Sequence, residues 1–234
     1  MLEKNNTFLK YFRFFLERSK LWIPVAIYGV IYMSAFYWLE STPRKVTIIY
    51  SSIDSKIPFC EYFIVPYLLW FAYIAFAVVF FIYFNDSKTE CFQMFYNLAI
   101  GMTLFIIISY VFPNGLNLRP TTFERDNIFI TLCQSLWKAD TSTNVFPSLH
   151  VYNSMAAFFS LNSCEKLKKH VFVRYSIFLL TLSIVLSTMF LKQHSIIDVV
   201  AGIGLSVISY LILYKSTKQA SVSVPQGNAL ESKI

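Results

Sequence analysis

Six runs of apolar residues, separated by polar segments of unequal length, organise this chain of 234 residues. They fall near Leu21–Leu39, Cys60–Phe84, Phe92–Phe112, Pro147–Leu161, Val171–Leu191 and Ser195–Tyr214. About 20 helical residues, at about 1.5 Å each, cross the hydrocarbon core of a bilayer. Backbone polar groups find no water there, so helices are the expected form. The pattern predicts an all-α fold, a six-span transmembrane helix bundle. The fourth run is short and holds His150 and Asn153. An inner helix shielded by its neighbours tolerates both, and the topology closes only with it.

The ends read differently. Residues 1–20 place Phe8, Leu9, Phe12, Phe15 and Leu16 near one face and carry Lys4, Lys10, Arg13 and Lys20. This predicts an N-terminal amphipathic helix lying in the membrane interface. Its long charged region, with no small-residue cleavage site after the apolar run, does not fit a secretory signal. Residues 215–234 are polar, include Pro225 and Gly227, and are expected to be a disordered tail. Residues 21–214 then form one membrane domain without an internal repeat.

Composition agrees with a lipid environment. Charged residues make up 14% of the chain, against about 25% in soluble domains. The net charge is +7, but the cations flank apolar runs, which suits anionic headgroups rather than nucleic acid. Thirteen of the 20 Lys and Arg fall on one set of segments: 1–20, 85–91, 162–174 and 215–234. The positive-inside rule therefore places both termini in the cytoplasm of a multi-pass cell-membrane protein. The segments 40–59, 113–146 and 192–194 are then extracytoplasmic. The first two are long, read as unstructured, and loops of that kind are usually functional; the first contains Asp54 and Pro58. Cys60, Cys91, Cys133 and Cys164 follow no metal-ligand spacing. Cys60 and Cys133 fall on the same side, which leaves a disulfide between them open.

The chemistry gathers on the outer side. Of the three histidines, His170 lies beside Lys168 and Lys169 and reads as a headgroup-facing residue. His150 starts the fourth run, His194 precedes the sixth, and Arg119 follows the third. His194 and Asp198 are one helical turn apart and share a face. A carboxylate there would accept a hydrogen bond from one ring nitrogen and leave the other free to attack. An ionisable residue inside an apolar segment is a functional candidate by default. In Phe146-Pro147-Ser148-Leu149-His150, Ser148 is a good helix cap and the helix start favours a bound phosphate. His150 stands where it would protonate a leaving oxygen. Arg119 offers a planar fork for phosphate oxygens.

Arg119-Pro120, Pro147-Ser148-Leu149-His150 and Ser187-Thr188-x5-His194-x3-Asp198 occur in the order and spacing of a known pattern. Together they resemble the type 2 phosphatidic acid phosphatase superfamily, whose motifs run K-x6-R-P, P-S-x-H and S-R-x5-H-x3-D. The resemblance implies catalytic roles for three residues. His194 would take the phosphoryl group, Asp198 would orient it, and His150 would protonate the leaving alcohol and then activate the acceptor. Arg119, Ser148 and the chain at Pro147 would hold the phosphate. The family uses no metal and no cofactor, and its partners are the bilayer and a lipid phosphate substrate.

Two cations of the pattern are absent: its Lys falls at Phe112 and its second Arg at Thr188. Phosphoryl transfer needs charge neutralisation, and Lys192 or Arg125 are the candidates to supply it. Fewer cations suit a singly charged phosphodiester. The stretches Val145–His150 and Ser195–Gly202 also look like the inositol phosphorylceramide synthase branch. The first expectation is a phosphatase acting on a lipid phosphomonoester or isoprenyl diphosphate. A lipid phosphotransferase is the alternative, and a non-catalytic transporter or scaffold the third reading.

Overall fold

Polar caps mark where the apolar runs become helices. The computed structural model describes residues 12–215. A helical segment, 12–19, turns at Lys20 and Leu21 into α1 (Trp22–Ser41). Then come α2 (Ile64–Val79), closing in a π-type turn at Phe80–Phe84, and α3 (Lys88–Val111). They are followed by α4 (Ile128–Ala139), α5 (Leu149–Ser163), α6 (Val171–Phe190) and α7 (Ile196–Tyr210). Side chains of Ser87, Asn127, Ser148 and Ser195 accept backbone N–H groups at the starts of α3, α4, α5 and α7, the role that Ser and Asn fill best at a helix start.

Among the described residues, five helical stretches are long and apolar enough to cross a membrane: Phe12–Ser41, Glu61–Phe84, Lys88–Val111, Val171–Phe190 and Ile196–Tyr214. The fourth predicted run is not among them. It begins at Leu149, after Pro147, and α5 has 15 residues, about 22 Å of helix against a core of about 30 Å. Its polarity has a packing explanation. α5 lies against α2, α3, α6 and α7, so Tyr152, Asn153, Ser154 and Ser160 are buried in protein. Gly101 of α3 makes one of these approaches feasible: a Cβ there would stand 1.9 Å from the Tyr152 ring. The Tyr152 hydroxyl continues past it to donate to the Asn97 carbonyl at 3.0 Å. Apolar side chains such as Val30, Ile31, Phe172 and Val200 stay exposed on the other helices.

The loops sort to two ends. At one end Arg18 donates to the Asp86 carbonyl, the Glu165 N–H to the Glu90 carboxylate, and Lys166 to the Phe84 carbonyl. At the other, β1 (Thr47–Ile48) pairs in parallel with β2 (Asn114–Gly115), and Gly115 bridges to Thr143. A Cβ on Gly115 would approach the Ser142 carbonyl to 2.9 Å, so the three segments close only around glycine. The segment 113–146, expected to be unstructured, contains α4. Its apolar positions recur at helical spacing, and Cys133 packs with Ile64, Tyr67 and Leu191.

Of the amphipathic segment expected over 1–20, residues 1–11 lie outside the described residues. The rest is helical and docks on the end of α2, where Ser19 and Trp22 meet the Tyr83 hydroxyl at 3.1 and 2.9 Å. The tail expected over 215–234 lies outside them from residue 216 onward. The disulfide left open between Cys60 and Cys133 is not formed, because all four cysteines are free.

Candidate active site

The site is built where α5 and α7 begin. Asn114 fixes the approach to α5: its Oδ1 accepts the N–H groups of Val145 and Phe146, each at 2.8 Å, and its Nδ2 donates to the Phe112 carbonyl at 2.7 Å. The Phe146–Pro147 peptide is cis. Ser148 caps α5, its Oγ accepting the Val151 N–H at 3.4 Å. The N–H groups of Leu149 and His150, at the head of the helix, have no intrahelical acceptor. Pro147 has no N–H to offer.

α7 is brought against this start by a glycine and a backbone bond. The Ser148 N–H donates to the Asp198 carbonyl at 3.1 Å. A Cβ on Gly202 would come within 2.8 Å of the Ser148 carbonyl oxygen, which is backbone and has little room to yield. Only a glycine lets α7 lie this close to α5.

The two histidines converge here, with ring centroids 6.0 Å apart. The His150 ring packs on Tyr67 at 4.6 Å and on Trp70 at 4.4 Å. His194 sits on the turn between α6 and α7, with its N–H donating to the Thr188 carbonyl at 3.0 Å. Its Nδ1 lies 3.5 Å from Asp198 Oδ2, the outer limit of a hydrogen bond. Asp198 is fully buried, and its other oxygen has no hydrogen-bond partner. His194 Nδ1 is likewise buried without a hydrogen-bond partner, so two incompletely satisfied groups face each other across this gap.

Arg119 joins the site through Gln193, the neighbour of His194. Its Nη2 donates to Gln193 Oε1 at 2.5 Å and to the carbonyls of Asp140 and Thr141, and its Nη1 to that of Trp137. The guanidinium therefore closes the C-terminal end of α4, while its buried Nε has no partner. Burial pulls its pKa below the usual arginine value, and the nearby Asp140 works against that shift.

Lys192 is held elsewhere. Its ammonium donates to the carbonyls of Asp54, at 2.8 Å, and Ile57. Burial lowers its pKa and Asp54 opposes the shift. Arg125 pairs with Glu61 at 3.6 Å. The Lys192 ammonium is thus taken up by protein carbonyls, whereas the Arg125 side chain stays exposed beside Glu61. At the two departures from the pattern, Phe112 packs edge-on against Phe146 at 6.4 Å and the Thr188 hydroxyl donates to the Val185 carbonyl at 2.8 Å. Near the first of these, Arg44 donates to the Tyr110 carbonyl at 3.0 Å and to Asn144 Oδ1 at 3.3 Å.

Three residues of the site were not singled out from sequence. Asp140 Oδ2 accepts from Tyr67 at 2.9 Å and from Gln193 at 3.0 Å, which puts a carboxylate and a phenol beside His150. A tyrosine in an apolar run and an acid after a loop helix are common, so only their folding together reveals them. Gln193 had one local signal, a polar side chain directly before His194.

The comparisons bear on the same region. No curated protein and no solved structure matches the chain. A family model does, the PAP2 superfamily, over residues 92–221. That segment holds Arg119, Pro147–His150, His194 and Asp198, and members of the superfamily are generally phosphatases or phosphotransferases. The match covers more than half of the chain, and the chain belongs to the PAP2 superfamily.

Proposed function

We propose that this protein is an integral membrane phosphatase that hydrolyses a lipid phosphomonoester or an isoprenyl diphosphate through a phosphohistidine, without a metal. The observation that carries the reading is the meeting of His194, backed by buried Asp198, with His150 at the open start of α5. The phosphate would rest on the N–H groups that begin α5, on the Ser148 hydroxyl and on Arg119, a helix start being suited to an anion.

His194 Nε2 attacks phosphorus in line with the ester bond. The P–O bond to the lipid breaks as the P–N bond forms, and protonated His150 gives its proton to the leaving oxygen. His150, now neutral, takes a proton from water. The resulting hydroxide attacks phosphorus, the P–N bond breaks, and phosphate leaves. Asp198 stabilises the positive charge on the His194 ring in the intermediate.

A specific observation favours a second reading. The Arg119 fork is largely taken by protein carbonyls and Gln193, and the Asp140 carboxylate stands nearby. Such a site would suit a singly charged phosphodiester and an alcohol acceptor, as in the inositol phosphorylceramide synthase branch. The same steps would then pass a phospho-headgroup from one lipid to another, with the acceptor hydroxyl in the place of water.

We place the site on the extracytoplasmic face of a six-pass cell-membrane protein with both termini inside. The grouping of the Lys-rich and Arg-rich segments at the opposite end supports this. One assay separates the readings. Purified protein is incubated in EDTA with a labelled lipid, with and without an alcohol acceptor, and the products are identified. Free phosphate, inhibited by vanadate, is expected. A new phosphodiester without free phosphate supports the transferase, and complete dependence on a divalent metal counts against both. A cysteine placed at Ser142 should be labelled from outside intact cells, and one at Lys168 should not.

A further inference from the structure

The outer loop before α2 has no assigned role and precedes the segment matched by the family model. Its turn carries a buried carboxylate, Asp54, 2% exposed. One oxygen accepts the Ser51 N–H at 2.8 Å within the loop and the Ser195 hydroxyl at 2.6 Å. The other accepts the Ile196 N–H at 2.9 Å. The last two donors follow His194 directly. The same turn also holds the residue two places before His194, because the carbonyls of Asp54 and Ile57 receive the Lys192 ammonium.

His194 is thus gripped on both sides by a loop about 140 positions earlier in the chain. The grip acts where the backbone needs support: Lys192 has φ 56°, a left-handed conformation that costs a lysine energy unless its surroundings hold it. The charges are matched too. Asp54 faces the positive end of α7 and the ammonium of Lys192, so burying each of the three is compensated.

We propose that Asp54 is a positioning residue for the phosphoryl-accepting histidine, and that the turn 51–57 is the fixed mount on which His194 is aimed. The proposal rests on the reading of His194 as nucleophile. Asp54 touches neither His150 nor Arg119, so it acts on the attack and not on the phosphate seat. Lys192 is by the same token a strut of the mount and not a substrate cation. An error of about 1 Å in aiming a reacting group costs on the order of 100-fold in rate.

The test uses the full chain in detergent or nanodiscs and compares wild type, Asp54→Asn and Ser195→Ala. Asparagine has one acceptor oxygen where three donors converge, and its amide N–H₂ faces donors. The milder Ser195→Ala removes one bond and serves if Asp54→Asn does not fold. The first readout is independent of substrate: the rate of diethylpyrocarbonate modification of His194, resolved by mass spectrometry against His150 in the same molecule. In the variants this ratio should rise at least about 5-fold, the factor that loss of one modest interaction gives. The second is kinetic. With a substrate that the wild type turns over, kcat should fall about 10–100-fold while KM changes less than about 3-fold. An unchanged modification ratio overturns the proposal, and so does a rise in KM with kcat retained. If His194→Ala keeps wild-type activity, the nucleophile reading fails instead, and the modification ratio still decides whether Asp54 fixes this histidine.

Discussion

The starts of α5 and α7 lie side by side and open alike, with a serine followed by an aliphatic residue: Ser148-Leu149-His150-Val151 and Ser195-Ile196-Ile197-Asp198. Each begins with a serine cap. They differ in what meets the positive helix end. At α7 the third residue after the cap is Asp198, which accepts the Ser195 N–H at 2.9 Å, and Asp54 arrives from outside to take the Ile196 N–H. At α5 the equivalent residue is Val151, and the first turn has no acid. One helix start is closed by the protein's own carboxylates, and the other has no acid of its own, as the proposed phosphate seat requires. The histidines follow this division. His194 stands before a closed start, where its partner is a carboxylate, and His150 stands inside an open one, where its partner would be the substrate. Two serine-capped helix starts thus differ in closure because of Val151 against Asp198 and because one remote loop reaches only the second.

The largest effect should come from removing either histidine, and the two removals should differ in kind. On the proposed mechanism His194→Ala deletes the nucleophile, so turnover should fall by about 10⁴-fold or more, whatever the leaving group. His150→Ala removes a proton donor and should cost about 10²–10⁴-fold on a lipid ester. With a nitrophenyl ester, whose leaving group needs no proton, the first step should recover in His150→Ala. Phosphohistidine would then accumulate, because the base for the second step is missing. Acid-labile, base-stable phosphate on His194 reads this directly. If both variants behave alike with both leaving groups, the division of roles between the two helix starts is wrong.

Next in size is the carboxylate that closes α7. Asp198→Asn leaves one oxygen to cap Ser195 but removes the charge that, on the proposed mechanism, stabilises the His194 ring. A loss of about 10²–10⁴-fold in kcat is expected, with melting temperature reduced only slightly, since the hydrogen bond to the Ser195 N–H is kept. A large drop in stability with activity per folded molecule preserved would make Asp198 a cap and nothing more.

This contrast also marks what sequence made legible. Long apolar runs gave five helices at sight, because lipid demands an apolar surface on each of them. α5 escapes that demand, being enclosed by α2, α3, α6 and α7, so it is short and polar and was the weakest of the six runs to read as a span. His150, His194 and Asp198 were legible because each sits at a fixed offset from a helix start. Asp140 and Tyr67 were not, since they reach the site from separate elements; Gln193 offered only its place before His194, and Asp54 only its place in a long loop. Lys192 misled for the same reason. Beside His194 in sequence, it reads as a phosphate ligand, whereas its ammonium lies on the carbonyls of Asp54 and Ile57. The amphipathic α4 was legible in principle, with Asn127 as its cap and apolar residues at helical spacing. Its place inside a long polar-flanked segment hid it.

The smallest effect isolates the open helix end itself. Leu149 is the first residue of α5 and is only partly buried. Leu149→Asp places a carboxylate where the anion is expected to sit and gives α5 the kind of closure that α7 has. Leu149→Asn has nearly the same shape without the charge, so the ratio of the two variants removes the cost of losing leucine. An acid at a helix start is itself stabilising by about 0.3–1 kcal/mol, so the aspartate variant should melt no lower than the asparagine variant. Vanadate should nevertheless bind it about 10-fold more weakly, the consequence of about 1.4 kcal/mol of competition for the same N–H groups and dipole. The difference should shrink in high salt only modestly, because the site is partly enclosed and screening is weaker there than at an open surface. Equal vanadate affinity in the two variants would move the anion away from α5 and leave Arg119 as its only remaining anchor.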